Sequence, residues 1–138
     1  MSDIPDGFAE HPRKSPVTAP WEPIHARVTA DAYILGLRIA AAHCNSRGLL
    51  HGGVIAALAD NAMGLSVAQL DTAARSPVTV SLHLDYLGQA ALGAWLDVTT
   101  NFVRVGGTLA FADAHIHADS VVVAKASATF RLLAARSA

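Results

Sequence analysis

Apolar and polar positions alternate without a break from Val78 to Tyr86. Val78, Val80, Leu82, Leu84 and Tyr86 are interleaved with Thr79, Ser81, His83 and Asp85. A period of two predicts a strand with one apolar and one polar face. Residues 32–43 are apolar and rich in strand formers, with Gly36 as a candidate bulge, and predict an earlier strand. Asn45-Ser46-Arg47-Gly48 reads as a turn. It leads to His51-Gly52-Gly53 and then to residues 54–70, which are apolar on nearly every side. Such a stretch predicts a buried helix rather than an amphipathic surface one. Residues 72–77 read as a loop. Further strands are predicted over 94–105, 108–117 and 121–133, separated by Gly106-Gly107 and Ala118-Asp119-Ser120. The predicted order is one strand, one helix, then four strands in a meander. This is an α+β domain in which an antiparallel sheet wraps a central helix.

Five of the six prolines fall in the first 23 residues, so residues 1–30 read as an extended, partly disordered arm before a domain over 31–138. At 138 residues and 52% hydrophobic, the chain has enough material for one domain with a real core. A net charge of −1 offers no broad basic surface for nucleic acid. The single cysteine, Cys44, leaves no intrachain disulfide, which fits a reducing cytoplasm. Only His43 stands beside it as a base, so it reads as a small buried thiol. The N-terminal residues lack the basic-then-apolar pattern of a signal peptide. Asp60, Asn61 and Gln69 interrupt the apolar helix, arguing against a membrane span.

Asp60 is the first candidate for chemistry. An ionised carboxylate in an apolar helix is costly unless something satisfies it, so it is either functional or bonded to neighbouring backbone. Gly52 and Gly53 are the second. A helix start leaves backbone N–H groups without intrahelical partners, and glycine lets a ligand approach them closely. A developing oxyanion would be stabilised there. Alternatively, the glycines only make a tight turn into the helix.

The run Asn45, Gly48, then His51-Gly52-Gly53, with Asp60 further along the helix, resembles the hotdog-fold acyl-CoA thioesterases, in the phenylacetate-pathway and 4-hydroxybenzoyl-CoA thioesterase-like branch. Val78-Thr79-Val80 and Thr108-Leu109-Ala110-Phe111 resemble that branch too, and the likeness spans residues 32–134. The resemblance implies an acyl-CoA substrate, no metal and no cofactor. It also implies roles. Asp60 would act on water as a general base or on the thioester as a nucleophile. Gly52 would donate its N–H to the thioester oxygen, and Asn45 would position the carbonyl or the water. Thr79 would orient water or carboxylate, with Ser81 as the fallback. His51 and Gly53 would shape the substrate loop.

The spacing adds a constraint. Gly52 and Asp60 lie eight residues apart on one helix, about 12 Å along its axis. A reacting carbon cannot sit about 3 Å from both. If both act at one site, the site combines two subunits, so a homodimer or homotetramer with shared sites is expected.

Arg104, beside the Gly106-Gly107 turn, is a candidate for a coenzyme A phosphate, with Gly107 as a backbone contact and Arg47, Arg75 and Arg131 as rivals. His115 and His117 share a strand face but lack a third metal ligand. Gly64-Leu65-Ser66-Val67-Ala68 lies mid-helix and is not a nucleophile elbow. Two other readings remain. A hotdog acyl-thioester hydratase or dehydratase would need a carboxylate and a histidine placed to move a proton at carbon. A non-enzymatic acyl-CoA binding domain would need no buried carboxylate.

Overall fold

The computed structural model describes residues 4–134. In chain order the strands are β1 (Ala9–Glu10), β2 (His25–Val28), β3 (Tyr33–Arg38), β4 (Ser76–Tyr86), β5 (Trp95–Val105), β6 (Leu109–Ala118) and β7 (Val121–Leu133). One helix, α1 (Gly52–Leu70), falls between β3 and β4. The strands form one antiparallel sheet in the order β1-β2-β3-β5-β6-β7-β4. The α+β class and the central helix are as the sequence and the hotdog resemblance imply.

The meander is shorter than expected. β5, β6 and β7 follow one another, but β4 pairs with β7 at the far edge. The side of β3 next to the meander is occupied by β5. α1 packs across β3, β5, β6 and β7, and carries the chain from one side of the sheet to the other. The first predicted strand also ends early. It stops at Arg38, and Ala41–His43 form a 3-10 turn. There His43 Nδ1 accepts from Ala40 N–H at 2.9 Å and Nε2 bonds Trp21 O at 2.9 Å.

α1 buries Leu58, Ala59, Ala62, Met63 and Val67 against Leu96, Val98, Ala112, Ala114, Ile116 and Phe130. Its one fully buried hydroxyl, Ser66 Oγ, accepts from Tyr33 N–H at 3.0 Å and lies 2.9 Å from Thr100 Oγ1. The helix is not wrapped on every side. Ala56, Ala57, Asp60, Asn61, Gly64, Leu65 and Ala68 form a half-exposed stripe. A single sheet can cover only one flank of a helix, and the even apolarity of α1 hid which flank that is.

A β-bulge in β4 decides which side chains face the helix. The ladder runs Thr79↔Phe130, then Ser81↔Thr129, Leu82↔Ala128, Leu84↔Ala126 and Tyr86↔Ala124, leaving Val80 unpaired. Directly opposed residues share a face. Thr79 therefore lies on the helix face with Leu82, Leu84 and Tyr86, while Ser81, His83 and Asp85 lie on the outer face. The extra residue reverses the alternation.

Nor is the described part of the arm disordered. β1 and β2 extend the sheet. His11, Thr18, Ile24 and His25 are buried, so this segment belongs to the same core. The prolines fall outside β1 and β2, where their missing N–H removes no ladder bond.

Candidate active site

Asp60 projects from the half-exposed stripe of α1 toward the start of β4. Its Oδ1 accepts from Thr79 Oγ1 at 2.6 Å. This is a short charge-assisted hydrogen bond between side chains, so the alternative of a carboxylate merely bonded to backbone does not apply. The bulge at Val80 makes the pairing possible by turning Thr79 toward the helix. Around the pair runs a groove of about 280 Å³ lined by Arg13, Asp60, Asn61, Gly64, Leu65, Ala68, Ser76, Pro77, Thr79 and Phe130.

The helix start is built separately. His51 is the N-cap, and its Nδ1 accepts from Gly53 N–H at 2.9 Å. A Cβ on Gly53 would come within 3.0 Å of that nitrogen, so glycine here admits the imidazole. His51 O accepts from Val54 and Ile55. The Gly52 N–H is left without a protein acceptor among the described residues. The Gly52 carbonyl accepts from the Tyr86 hydroxyl at 2.7 Å, and a Cβ on Gly52 would meet the Tyr86 ring at 3.3 Å. His51 and Gly53 open onto a second hollow of about 410 Å³, shared with Trp21, Ala42, His43, Cys44 and Val54.

Asn45 holds the preceding turn. Its Oδ1 accepts from Arg47 N–H at 2.9 Å and Leu49 N–H at 3.2 Å, leaving the Nδ2 protons to donate elsewhere. Thus Asp60 and Thr79 form one cluster, and Asn45, His51, Gly52 and Gly53 form another. The two open into different hollows of one chain.

Three expected residues lie apart from both. Ser81 is on the outer face, in a shallow hollow with His83, Phe111, Asp113, Ser127 and Thr129. Arg104 is also on the outer face, opposite Phe111. Gly106 and Gly107 give their carbonyl oxygens to the Arg75 guanidinium, which also bonds both oxygens of Asp71. Arg75 therefore clamps this turn to the end of α1 and is spent as a phosphate ligand. The hydrogen bonds from Arg75 hold the Asp71 carboxyl below its ordinary range. His115 and His117 stand at 6.3 Å ring separation, His117 beside Asp97 at 3.0 Å. Among the described residues no group of three or more His, Cys, Asp or Glu is placed to hold a metal.

Two residues beside these clusters carry no mark in the sequence pattern. Tyr86 fits the alternation as an apolar strand position, yet a tyrosine ending such a strand carries a hydroxyl that needs a partner, here Gly52 O. Arg13 lies in the arm, where no periodicity marks it.

The family model described as the thioesterase superfamily matches residues 47–125. The chain is 38% identical to a Pseudomonas aeruginosa protein named as an esterase, over 96% of this chain and 99% of that one. It is 35% identical to human acyl-coenzyme A thioesterase 13, over 56% of this chain and 55% of that one. The fold matches a Streptococcus pneumoniae thioesterase protein crystallised with coenzyme A. The TM-score is 0.74 at 25% identity, covering 83% of this chain and 91% of that one.

Proposed function

The chain belongs to the thioesterase superfamily, and from that premise we propose that it hydrolyses acyl or aryl-acyl coenzyme A thioesters to the free acid and coenzyme A. The observation that carries this reading is the Thr79–Asp60 hydrogen bond at 2.6 Å in a solvent-open groove. It leaves Asp60 Oδ2 free to take a proton from water or to attack carbon. The acyl-coenzyme A thioesterase name and the coenzyme A-bound structure among its relatives support the substrate class.

Each site draws on two subunits. Asp60 and Thr79 come from one chain, and Gly52 and Asn45 come from the other. The roughly 12 Å between Gly52 and Asp60 along α1 supports this, because no single thioester carbon reaches both. So does the surface. Leu82 is 36% exposed and Tyr86 52% exposed on the helix face of the edge strand β4, the face that α1 packs against. An apolar edge strand next to an apolar helix flank suits pairing with a second copy. A two-fold there sets the helices antiparallel and brings each Asp60 toward the other chain's helix start.

In the reaction Asp60 takes a proton from water as the oxygen attacks the thioester carbon. The carbonyl oxygen becomes negative and is held by the partner's Gly52 N–H at the positive end of the helix dipole. Asn45 Nδ2 is free to donate to the same oxygen or to the water. The tetrahedral adduct collapses, the C–S bond breaks, and the proton held by Asp60 passes to the leaving sulfur. In the nucleophilic variant Asp60 itself attacks, and water cleaves the resulting mixed anhydride. Hydration or dehydration at carbon would use a histidine with Asp60, and His51 stands next to Gly52 at the helix start, so release of thiol from a saturated acyl-CoA is what separates hydrolysis from that chemistry.

The test is thiol release from short, long and aryl acyl-CoAs by the protein and its Asp60→Asn variant. The reading predicts release by the parent and a loss of about 10²- to 10⁴-fold in the variant, the usual worth of a general base. A folded Asp60→Asn protein that keeps full turnover, or tight acyl-CoA binding without release by either protein, would overturn it.

A further inference from the structure

The arm delivers a cation to the wall of the groove that holds Asp60. His11 anchors it. His11 is 1% exposed, its backbone N–H donates to Ile24 O at 3.0 Å, and its ring stands edge-on to Tyr33 at 6.3 Å. A turn follows in which Thr18 and Ala19 donate to Ser15 O. Between these anchors lie two adjacent cations with different partners. Lys14 is neutralised by Glu10 at 2.6 Å and by Glu22 at 3.7 Å. Arg13 makes no ion pair among the described residues, and lines both the Asp60 groove and a smaller adjoining hollow with Lys14, Ser15, Asn61 and Leu65.

The groove has a direction. Asp60, Gly64 and Ala68 recur every four residues along one flank of α1, with Asn61 and Leu65 beside them. A thioester carbonyl must sit at Asp60, at one end of this row. An acyl chain laid along the row passes small and apolar residues, Gly64, Leu65, Ala68 and Phe130. The flank at Asn61 and Leu65 is where the guanidinium stands. The guanidinium has no ion pair among the described residues, and Gly64, Leu65 and Ala68 beyond Asp60 along the row carry no charge, so a substrate that brings its own anion is favoured. The planar guanidinium fork suits a carboxylate in particular.

We propose that Arg13 is a specificity-determining residue that selects acyl groups bearing a second carboxylate, so that the preferred substrates are coenzyme A monothioesters of dicarboxylic acids. This rests on the thioesterase reading above. Arg13 binds the distal carboxylate and has no part in the bond-breaking step.

The experiment compares matched pairs, adipoyl-CoA against hexanoyl-CoA and suberoyl-CoA against octanoyl-CoA, by thiol release with the intact protein, Arg13→Gln and Arg13→Lys. Arg13 is exposed and bonds no other side chain, so both variants keep the fold. The protein is expected to favour the dicarboxylic member of at least one pair by about 10-fold in kcat/KM, the order of one charge-assisted contact. Arg13→Gln removes that preference through KM and changes the monocarboxylic rates by less than about 2-fold, while Arg13→Lys retains part of it. No preference in the parent, or the same preference in Arg13→Gln, overturns the proposal and leaves the hydrolase reading standing. Absence of thiol release from every substrate, aryl thioesters included, overturns the hydrolase reading itself.

Discussion

The Thr79 hydroxyl donates to Asp60 Oδ1 at 2.6 Å, and it reaches that carboxylate only because a bulge at Val80 turns Thr79 toward the helix. The bond fixes one carboxylate oxygen and aims the other into the groove. Thr79→Val removes the donor at nearly constant volume. A hydrogen bond to a charged group is worth about 1.5–3 kcal/mol, so kcat should fall roughly 10- to 100-fold. Thr79→Ser should retain most activity. Steady-state thiol release decides this, and an unimpaired Thr79→Val enzyme would remove Thr79 from the site.

The Tyr86 hydroxyl ties the helix start by donating to Gly52 O at 2.7 Å. Tyr86→Phe should lower stability by about 0.5–1.5 kcal/mol, the net worth of one hydrogen bond. It should also lower kcat more than it raises KM, because the freed loop no longer presents the Gly52 N–H in register. Gly52→Ala should cost more activity, since the new Cβ meets the Tyr86 ring at 3.3 Å. Denaturant unfolding and kinetics on the same preparations separate the two effects.

The helix and most strands were legible in the pattern of apolar positions, as was the placing of Gly52 at the helix start and of Asp60 on the same helix. The bulge was not. The alternation Val78-Thr79-Val80-Ser81-Leu82 reads as unbroken, yet its phase reverses at Val80, which moves Ser81 away from Asp60. Bulges follow from how a strand must bend around a helix, and that is a tertiary property. The arm misled for a related reason. Five prolines suggest disorder, but Ile24 and His11 insert into the core from the segments between them.

His11 makes the arm pH-sensitive. Burial lowers its pKa from 6.5, against an opposing pull from Glu22, and Lys14 and Arg13 lower it further. The folded state therefore prefers the neutral ring. Above pH 6.5 the full contribution is present. As pH falls through 6.5, the unfolded chain takes up the proton before the folded one, and stability declines until the folded pKa is reached. His11→Phe should flatten that part of the Tm-against-pH curve. An unchanged slope below pH 6.5 would assign it to another group.

Two arginines near the Gly106-Gly107 turn should separate cleanly. Arg75→Ala frees that turn and removes the partner of buried Asp71, so it should lower Tm. The contribution of this pair is present above pH 3.8 and is lost as pH falls through the lowered pKa of Asp71. Arg104→Ala should leave Tm unchanged and raise KM for coenzyme A thioesters, with an effect that shrinks as salt rises. A truncated thioester without the nucleotide should not sense Arg104. Equal KM changes on full and truncated substrates would rule out a phosphate contact.

A site shared between two chains needs Asp60 from one and the helix start from the other. Asn45→Asp keeps the oxygen that holds the turn and removes the Nδ2 donor, while Asp60→Asn removes the base. Each variant alone should be nearly inactive. The decisive measurement is thiol release by isolated heterodimers carrying one chain of each kind. About half the parent activity is expected, because the Asp60→Asn chain supplies Asn45 and Gly52 to a site completed by the other chain's Asp60. Heterodimers as inactive as the two parent variants would contradict it.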